Sequence, residues 1–373
     1  MASSQTNVEM WVEQADISKI AFKKAPIRAL DENEILCRID SFGLSANNVT
    51  YAALGKSFRY FEFFPVVGGK GDAAKYGKVP VWGVATITKS RHPSIKTGER
   101  IYGYLPLAQY HIIKVSPSGL TPSFFYTLRD HLPEDRKVYN QYFRVTGDPF
   151  YDPKKEGEMM LFRPLYWTSF FLSDYLNEKK HFGAKSVVIS SASSKTSFCF
   201  AWMSKQRGLS TIGLTSQGNV AFVKSLGFYD SVLTYEQLGQ IPAQDSLYVD
   251  MSGSKSLARK VHDQLGSNLK RAISVGLANT GESRGTFPEG TELFFAPPWM
   301  KQRQEELRGT LLQLMIKSWA EAMAKVDDWV KVKRLSGTEN VAKTWETMAK
   351  GRTPPDIGYV LTLSDSATGQ SKL

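Results

Sequence analysis

Residues 185–214 constrain the fold more than any other stretch of the chain. An apolar β-branched run, Val187-Val188-Ile189, enters a tight polar loop, Ser190-Ser191-Ala192-Ser193-Ser194-Lys195-Thr196. A helix-like segment follows as far as Gly208, and then a second short apolar run, Thr211-Ile212-Gly213-Leu214. Strand, polar loop, helix, strand in that order is the opening unit of a dinucleotide-binding α/β domain. The loop lacks the G-x-G-x-x-G glycines that let a pyrophosphate approach backbone. The fold signal is therefore stronger than the cofactor signal.

The alternation continues downstream. Strands are predicted at 186–190, 210–214, 231–233, 246–250, 271–275 and 292–296, with helices at 196–207, 219–226, 254–265 and 300–324. Gly208 and Gly227 fall where helix C-caps belong. Alternating β and α units imply a doubly wound parallel sheet. The start of the chain reads differently. Ile35-Leu36-Cys37-Arg38-Ile39-Asp40 alternates in strand fashion, and several short strands with Gly and Pro punctuation follow. That pattern predicts a small β-barrel. Residues 116–160 are polar, aromatic and weakly periodic, as in a long surface loop or lid, and a helix is expected over 161–176. The expected layout is a barrel domain over 1–163 carrying an insertion at 116–160, a Rossmann-type nucleotide-binding domain over 164–318, and a return to the first domain over 319–373. That return reads as short strands around a helix near 338–350.

A chain of 373 residues suits two domains. Its formal charge of +11 raises the question of nucleic acid, but the basic residues are scattered and form no arginine-rich run. No apolar run of about 18 residues exists to span a membrane. Two cysteines, Cys37 and Cys199, supply neither a disulfide framework nor a cysteine-rich zinc site, and both sit in apolar segments expected to be buried. A cytoplasmic protein with a small-molecule substrate, and without nucleic-acid or membrane partners, is the expectation.

The chain resembles the medium-chain dehydrogenase/reductase superfamily, most closely its zinc-free, quinone-oxidoreductase-like branch. Lys96-Thr-Gly-Glu-Arg-Ile-Tyr-Gly-Tyr104 resembles the G-D-R-V-x-G strand of that family's GroES-like barrel. Gly43-Leu-Ser-Ala-Asn-Asn48 and Gly55 resemble the floor of its catalytic cleft. Thr168 resembles the threonine that opens the first helix of the nucleotide domain, and Ser225-Leu-Gly-Phe-Tyr-Asp-Ser-Val-Leu-Thr-Tyr235 resembles the LGAD-x-V-x-x-Y block. The serine-rich loop is also similar to that of a poorly characterised subgroup carrying a domain of unknown function. The zinc-dependent members need a cysteine and histidine set that this chain lacks, so no metal is expected.

The resemblance implies a cofactor. Ser191, Ala192, Ser193, Ser194, Lys195 and Thr196 would hold its phosphates at a helix N-terminus, where unpaired N–H groups and a partial positive charge favour anions. The simpler reading is that Ser194 or Thr196 caps the helix and Lys195 points to water. No Asp or Glu occurs between Lys185 and Tyr229. NAD-binding domains place a carboxylate at the end of the second strand, whereas this chain has Thr215-Ser216-Gln217 there, so NADP is expected over NAD. By resemblance, Ser216, Lys224 and Tyr235 would surround a 2′-phosphate. Later strand ends, at Ser252-Gly253, Gly276-Leu277 and Phe295, would complete the site.

For chemistry, the resemblance puts Asn47, Asn48 and Tyr51 in the catalytic segment, with Tyr51 as proton or hydrogen-bond donor. The implied activity is NADPH-dependent reduction of an enone, enal, carbonyl or quinone-like molecule. Two other readings remain open at this level: a reductase-derived fold working as a cofactor-independent lyase, isomerase or dehydratase, and a non-enzymatic binding protein. Leu293-Phe-Phe-Ala296 is a candidate sheet edge for a homodimer.

Overall fold

A computed structural model describes residues 5–275 and 286–364. The chain divides into two compact units, Met1–Leu161 with Lys331–Leu373, and Phe162–Val330.

The first unit is β-rich. Its strands are β1 (Thr6–Glu13), β2 (Ile20–Pro26), β3 (Glu34–Leu44), β4 (Tyr76–Lys78), β5 (Pro80–Ser90), β6 (Arg100–Pro106), β7 (Tyr110–Lys114), β8 (Phe124–Tyr126) and β9 (Gln141–Arg144). Helices α1 (Ala46–Ala53) and α2 (Asp72–Lys75) follow β3. Strands β3 and β5 pair antiparallel at the centre because Ile35, Cys37, Ile39, Ala85 and Ile87 all point into one core. Residues 116–160 are not a bare loop. Strands β8 and β9 extend the sheet from β6, and they bury Phe125 and Tyr142 completely. Charged residues between those short aromatic strands hide their period-2 pattern.

The second unit carries a six-stranded parallel sheet in the order β12-β11-β10-β13-β14-β15. The strands are β10 (Ser186–Ile189), β11 (Ser210–Thr215), β12 (Ser231–Thr234), β13 (Ser246–Asp250), β14 (Leu269–Val275) and β15 (Thr291–Phe294). Its helices are α3 (Glu156–Glu178, whose first turns belong to the first unit), α4 (Lys195–Gln206), α5 (Val220–Ser225), α6 (Lys255–Leu265), α7 (Ala296–Leu307), α8 (Gly309–Met323) and α9 (Val326–Trp329). This is the α/β doubly wound arrangement, and the strand order reverses between β10 and β13. Gly208 and Gly227 adopt the positive φ of helix C-caps, 80° and 70°. The long helix expected over 300–324 is broken in two at Arg308, where φ is 46°.

The chain re-enters the first unit at Lys331 rather than at 319. Trp319 meets Tyr166 edge to face, and Trp329 packs against Phe198 and Phe228, which holds this stretch in the second unit. Beyond it, β16 (Lys331–Ser336), α10 (Thr338–Ala349) and β17 (Ile357–Thr362) add to the sheet through β17 and β3. Trp345 is fully buried and donates its indole N–H to the Ile17 carbonyl. No helix among the described residues is long and apolar enough to cross a membrane.

Candidate functional site

In the second unit, the polar loop after β10 lies at the reversal of strand order, where open α/β sheets collect ligands. The loop turns through Ser191, whose φ of 49° is the left-handed conformation that glycine adopts without strain. Ala192 donates its N–H to Leu214 and accepts from the Tyr229 hydroxyl (2.9 Å each). Gly213 permits this approach, since a Cβ there would meet Ala192 Cβ at 2.9 Å. Ser194 caps α4, its Oγ accepting from Ser197 N–H at 3.2 Å. The capping reading therefore holds for Ser194. Ser193 Oγ accepts from the Asn219 amide at 3.1 Å, and the Thr196 carbonyl accepts from Ser169. Tyr235 lies against Ser191, whose contact eases an ionisation that burial hinders. Ser216 and Lys224 are exposed beyond β11. The first acid after the loop, Asp230, binds Thr211 N–H at 2.9 Å, at the amino end of β11 and away from the loop.

Asp250, at the carboxyl end of β13, is a site residue that the sequence reading missed. It is fully buried and joins the two strands that flank the reversal. Its Oδ1 accepts from the hydroxyls of Ser190 (2.7 Å), Ser252 (2.7 Å) and Tyr248 (3.2 Å), and from Ser252 N–H (3.1 Å). Its Oδ2 accepts from Gly253 N–H at 3.0 Å. The carboxylate is thus stabilised by hydrogen bonds rather than by an ion pair among the described residues. The signal in the sequence was a lone acid ending the apolar run Leu247-Tyr-Val-Asp250.

The remaining expected cofactor residues fare differently. Ser252 and Gly253 stand beside the loop through Asp250 and Ser190. Thr168 does not open a helix. Helix α3 runs straight through Pro164, and the Thr168 hydroxyl bonds back to the Pro164 carbonyl at 3.1 Å. Phe295 follows β15, which β13 and β14 separate from β10. Gly276 and Leu277 lie outside the described residues.

In the first unit, α1 presents Asn47, Asn48 and Tyr51. Asn48 is spent on structure: its Oδ1 accepts from Ser45 N–H (2.8 Å) at the helix start, and its amide donates to the Pro80 carbonyl (3.0 Å). That removes it from the expected catalytic group. Asn47 and Tyr51 come together. Tyr51 Oη accepts from Asn47 Nδ2 at 2.7 Å and from Trp82 Nε1 at 3.3 Å. Two N–H donors on the phenol oxygen leave its own proton for an acceptor and support the phenolate. Burial nevertheless pushes the Tyr51 phenol well above its ordinary range.

Around Tyr51 stands an aromatic cluster of Phe63, Phe64 and Tyr104, with Tyr60, Trp82 and Tyr139 at its margin. Tyr139, from the 116–160 segment, sits with its ring 4.8 Å from that of Tyr104. Arg129 is buried over Phe64 and donates to Asn140 Oδ1 at 2.8 Å. The Tyr104 hydroxyl is fully buried and has no hydrogen-bond partner. Such a group costs about 1–3 kcal/mol, which a phenylalanine would avoid. Among the described residues no group of three His, Cys, Asp or Glu side chains gathers in a metal-binding arrangement.

Comparison with known proteins fits this architecture. The profile of a family described as "Protein of unknown function (DUF2855)" matches residues 42–354, and the chain belongs to that family. No curated protein matches it in sequence. Among solved structures, CurA from Vibrio vulnificus in complex with NADPH is 16% identical, with a TM-score of 0.59, covering 93% of this chain and 95% of its own. A putative NADPH:quinone reductase from Mesorhizobium loti is 14% identical, with a TM-score of 0.57 and coverage of 97% and 99%. The quinone oxidoreductase from Coxiella burnetii is 13% identical, with a TM-score of 0.55 and coverage of 95% and 99%. The chain shares the medium-chain dehydrogenase/reductase fold with these proteins.

Proposed function

We propose that this member of the DUF2855 family is an NADPH-dependent oxidoreductase that works without zinc on an enone, enal, carbonyl or quinone-like small molecule. The observation that carries the reading is the Ser190–Thr196 loop. It makes a glycine-like left-handed turn at Ser191, enters α4 at the strand-order reversal, and faces no carboxylate at the end of β11. The residues fit the cofactor. The α4 N-terminus and Lys195 would hold the pyrophosphate, and Ser216, Lys224 and Tyr235 the 2′-phosphate. Bound there, NADPH supplies a hydride equivalent. CurA, similar in fold, was solved with NADPH.

The chain's own residues would supply the proton. Tyr51 Oη gives its proton to the substrate oxygen as charge develops there, while Asn47 and Trp82 steady the phenolate left behind. A second copy of the chain is a candidate partner at edge strand β15, where Leu293 is 61% exposed.

One observation favours the alternative of a fold that has left hydride chemistry. Asp250 puts a buried negative charge at the strand reversal, where a pyrophosphate would be repelled. Loss of NADPH absorbance in the presence of trans-2-hexenal or 1,4-benzoquinone tests the choice. Consumption with either probe supports the reductase; no consumption, with NADPH left unbound, supports the alternative.

A further inference from the structure

The Tyr104 hydroxyl has no role in the packing just described. Its ring packs edge to face with Tyr51 and Phe63, at 5.6 and 5.1 Å, and phenylalanine would fill that space equally well. The backbone is anchored independently, because the Tyr142 hydroxyl donates to the Tyr104 carbonyl at 2.7 Å. What distinguishes tyrosine is a buried, unpartnered O–H among other phenols. Tyr51, Tyr60 and Tyr139 lie close enough that each, if ionised, would hinder ionisation of Tyr104. Tyr104 makes no hydrogen bond in this state, yet it stands near enough to Tyr51 to favour the Tyr51 phenolate. Tyr60 and Tyr139 interact with each other and are half-buried residues, so the cluster runs from the fully buried Tyr104 toward the margin of the unit.

We propose that Tyr104 is a positioning residue that relays a proton to Tyr51, with Tyr139 and Tyr60 as the links to solvent. The inference rests on the reading of Tyr51 as the proton donor. The balance is simple. Tyr51 Oη–H breaks as the substrate oxygen gains its proton, Tyr104 Oη–H then gives its proton to the Tyr51 phenolate, and Tyr139 or Tyr60 passes its own proton to Tyr104 and regains one from water, leaving hydroxide to the solvent. No electrons move in the relay. Turning the Tyr104 O–H toward Tyr51 Oη makes the bond when Tyr51 becomes negative, since an O–H donor is drawn to a phenolate more strongly than to a phenol. The 116–160 segment gains a purpose in this scheme, because it delivers Tyr139 to the cluster.

The test compares the wild-type chain with Tyr104→Phe and Tyr139→Phe. Melting temperature, NADPH fluorescence titration and turnover of trans-2-hexenal and 1,4-benzoquinone are measured, with and without added imidazole. Tyr104→Phe is expected to melt at or above the wild-type temperature, to bind NADPH unchanged, and to lose about ten-fold in kcat at constant KM. Imidazolium, a small mobile acid, should restore part of that loss, and Tyr139→Phe should show a smaller loss of the same kind. A lower melting temperature for Tyr104→Phe overturns the relay whatever the turnover, because the hydroxyl would then be structural. Wild-type kcat in Tyr104→Phe with NADPH bound overturns the relay alone. Failure of the wild-type chain to bind NADPH, or to turn over either probe, removes the hydride reading and leaves the relay no reaction to serve.

Discussion

The two clusters of hydroxyl groups, one in each unit, are built in opposite ways. Around Asp250 every hydroxyl is engaged: Ser190, Ser252 and Tyr248 all donate to one carboxylate, and Ser194 caps a helix. Around Tyr51 the phenols stand in an apolar surround, and one of them, Tyr104, is left without a partner. A saturated network fixes a shape, whereas an unsaturated one holds groups ready to change partners. The first suits a loop that must keep a rigid mouth, and the second a site that moves a proton.

The sharpest way to break this contrast is to empty the saturated network. Asp250→Ala leaves several buried donors without an acceptor and is expected to lower unfolding stability by about 3 kcal/mol or more. A change below about 0.5 kcal/mol in denaturant unfolding would mean that the network is not holding the loop. On the other side, Tyr51→Phe keeps the ring and removes the proton; about a 100-fold loss in kcat is expected with NADPH affinity unchanged. Lys195→Ala should weaken NADPH binding about ten-fold, and the gap should narrow as salt is added, since the contribution is electrostatic.

Two smaller effects sharpen the comparison. His111 lies against Phe64 in the first unit, where burial and the nearby Arg129 and Lys78 charges push its imidazole well below the ordinary value of 6.5. The folded chain keeps it neutral while the unfolded chain protonates it. Stability is therefore complete above pH 6.5 and falls as pH drops below it, by at most about 1.4 kcal/mol per pH unit from this residue. His111→Gln should flatten that slope in thermal melts between pH 5 and 7. Ser191→Gly removes left-handed strain from the loop and is expected to raise stability by about 1 kcal/mol, offset in part by glycine's greater chain entropy.

The two regions also differ in how much of them was legible in the sequence. The loop could be read because its signal is local: Val187 to Thr196 is one strand, one turn and one helix start, and Ser194 behaves as the cap its residue type implies. Asp250 could not be read as part of it, because its partner Ser190 is 60 residues away. Thr168 was placed at a helix start by resemblance alone, whereas α3 begins at Glu156 and carries Thr168 in its interior. The phenol cluster was legible only in part. Asn47 and Tyr51 share one helix turn, but Tyr60, Tyr104 and Tyr139 come from three other segments, and Tyr139 lies where weak periodicity resembles surface loop. Asn48 shows the converse. Its residue type fitted a catalytic role, and only its two hydrogen bonds reveal a cap and a tie to the Pro80 backbone.

The central claim is that a serine- and lysine-lined loop grips a phosphorylated dinucleotide without the usual glycines. A fluorescence titration of the full chain with NADPH and NADH tests it most directly. Saturable binding is expected, tighter for NADPH by about ten-fold, as a site without a carboxylate beside the 2′-phosphate allows. Absence of binding for both dinucleotides at millimolar concentration would contradict it.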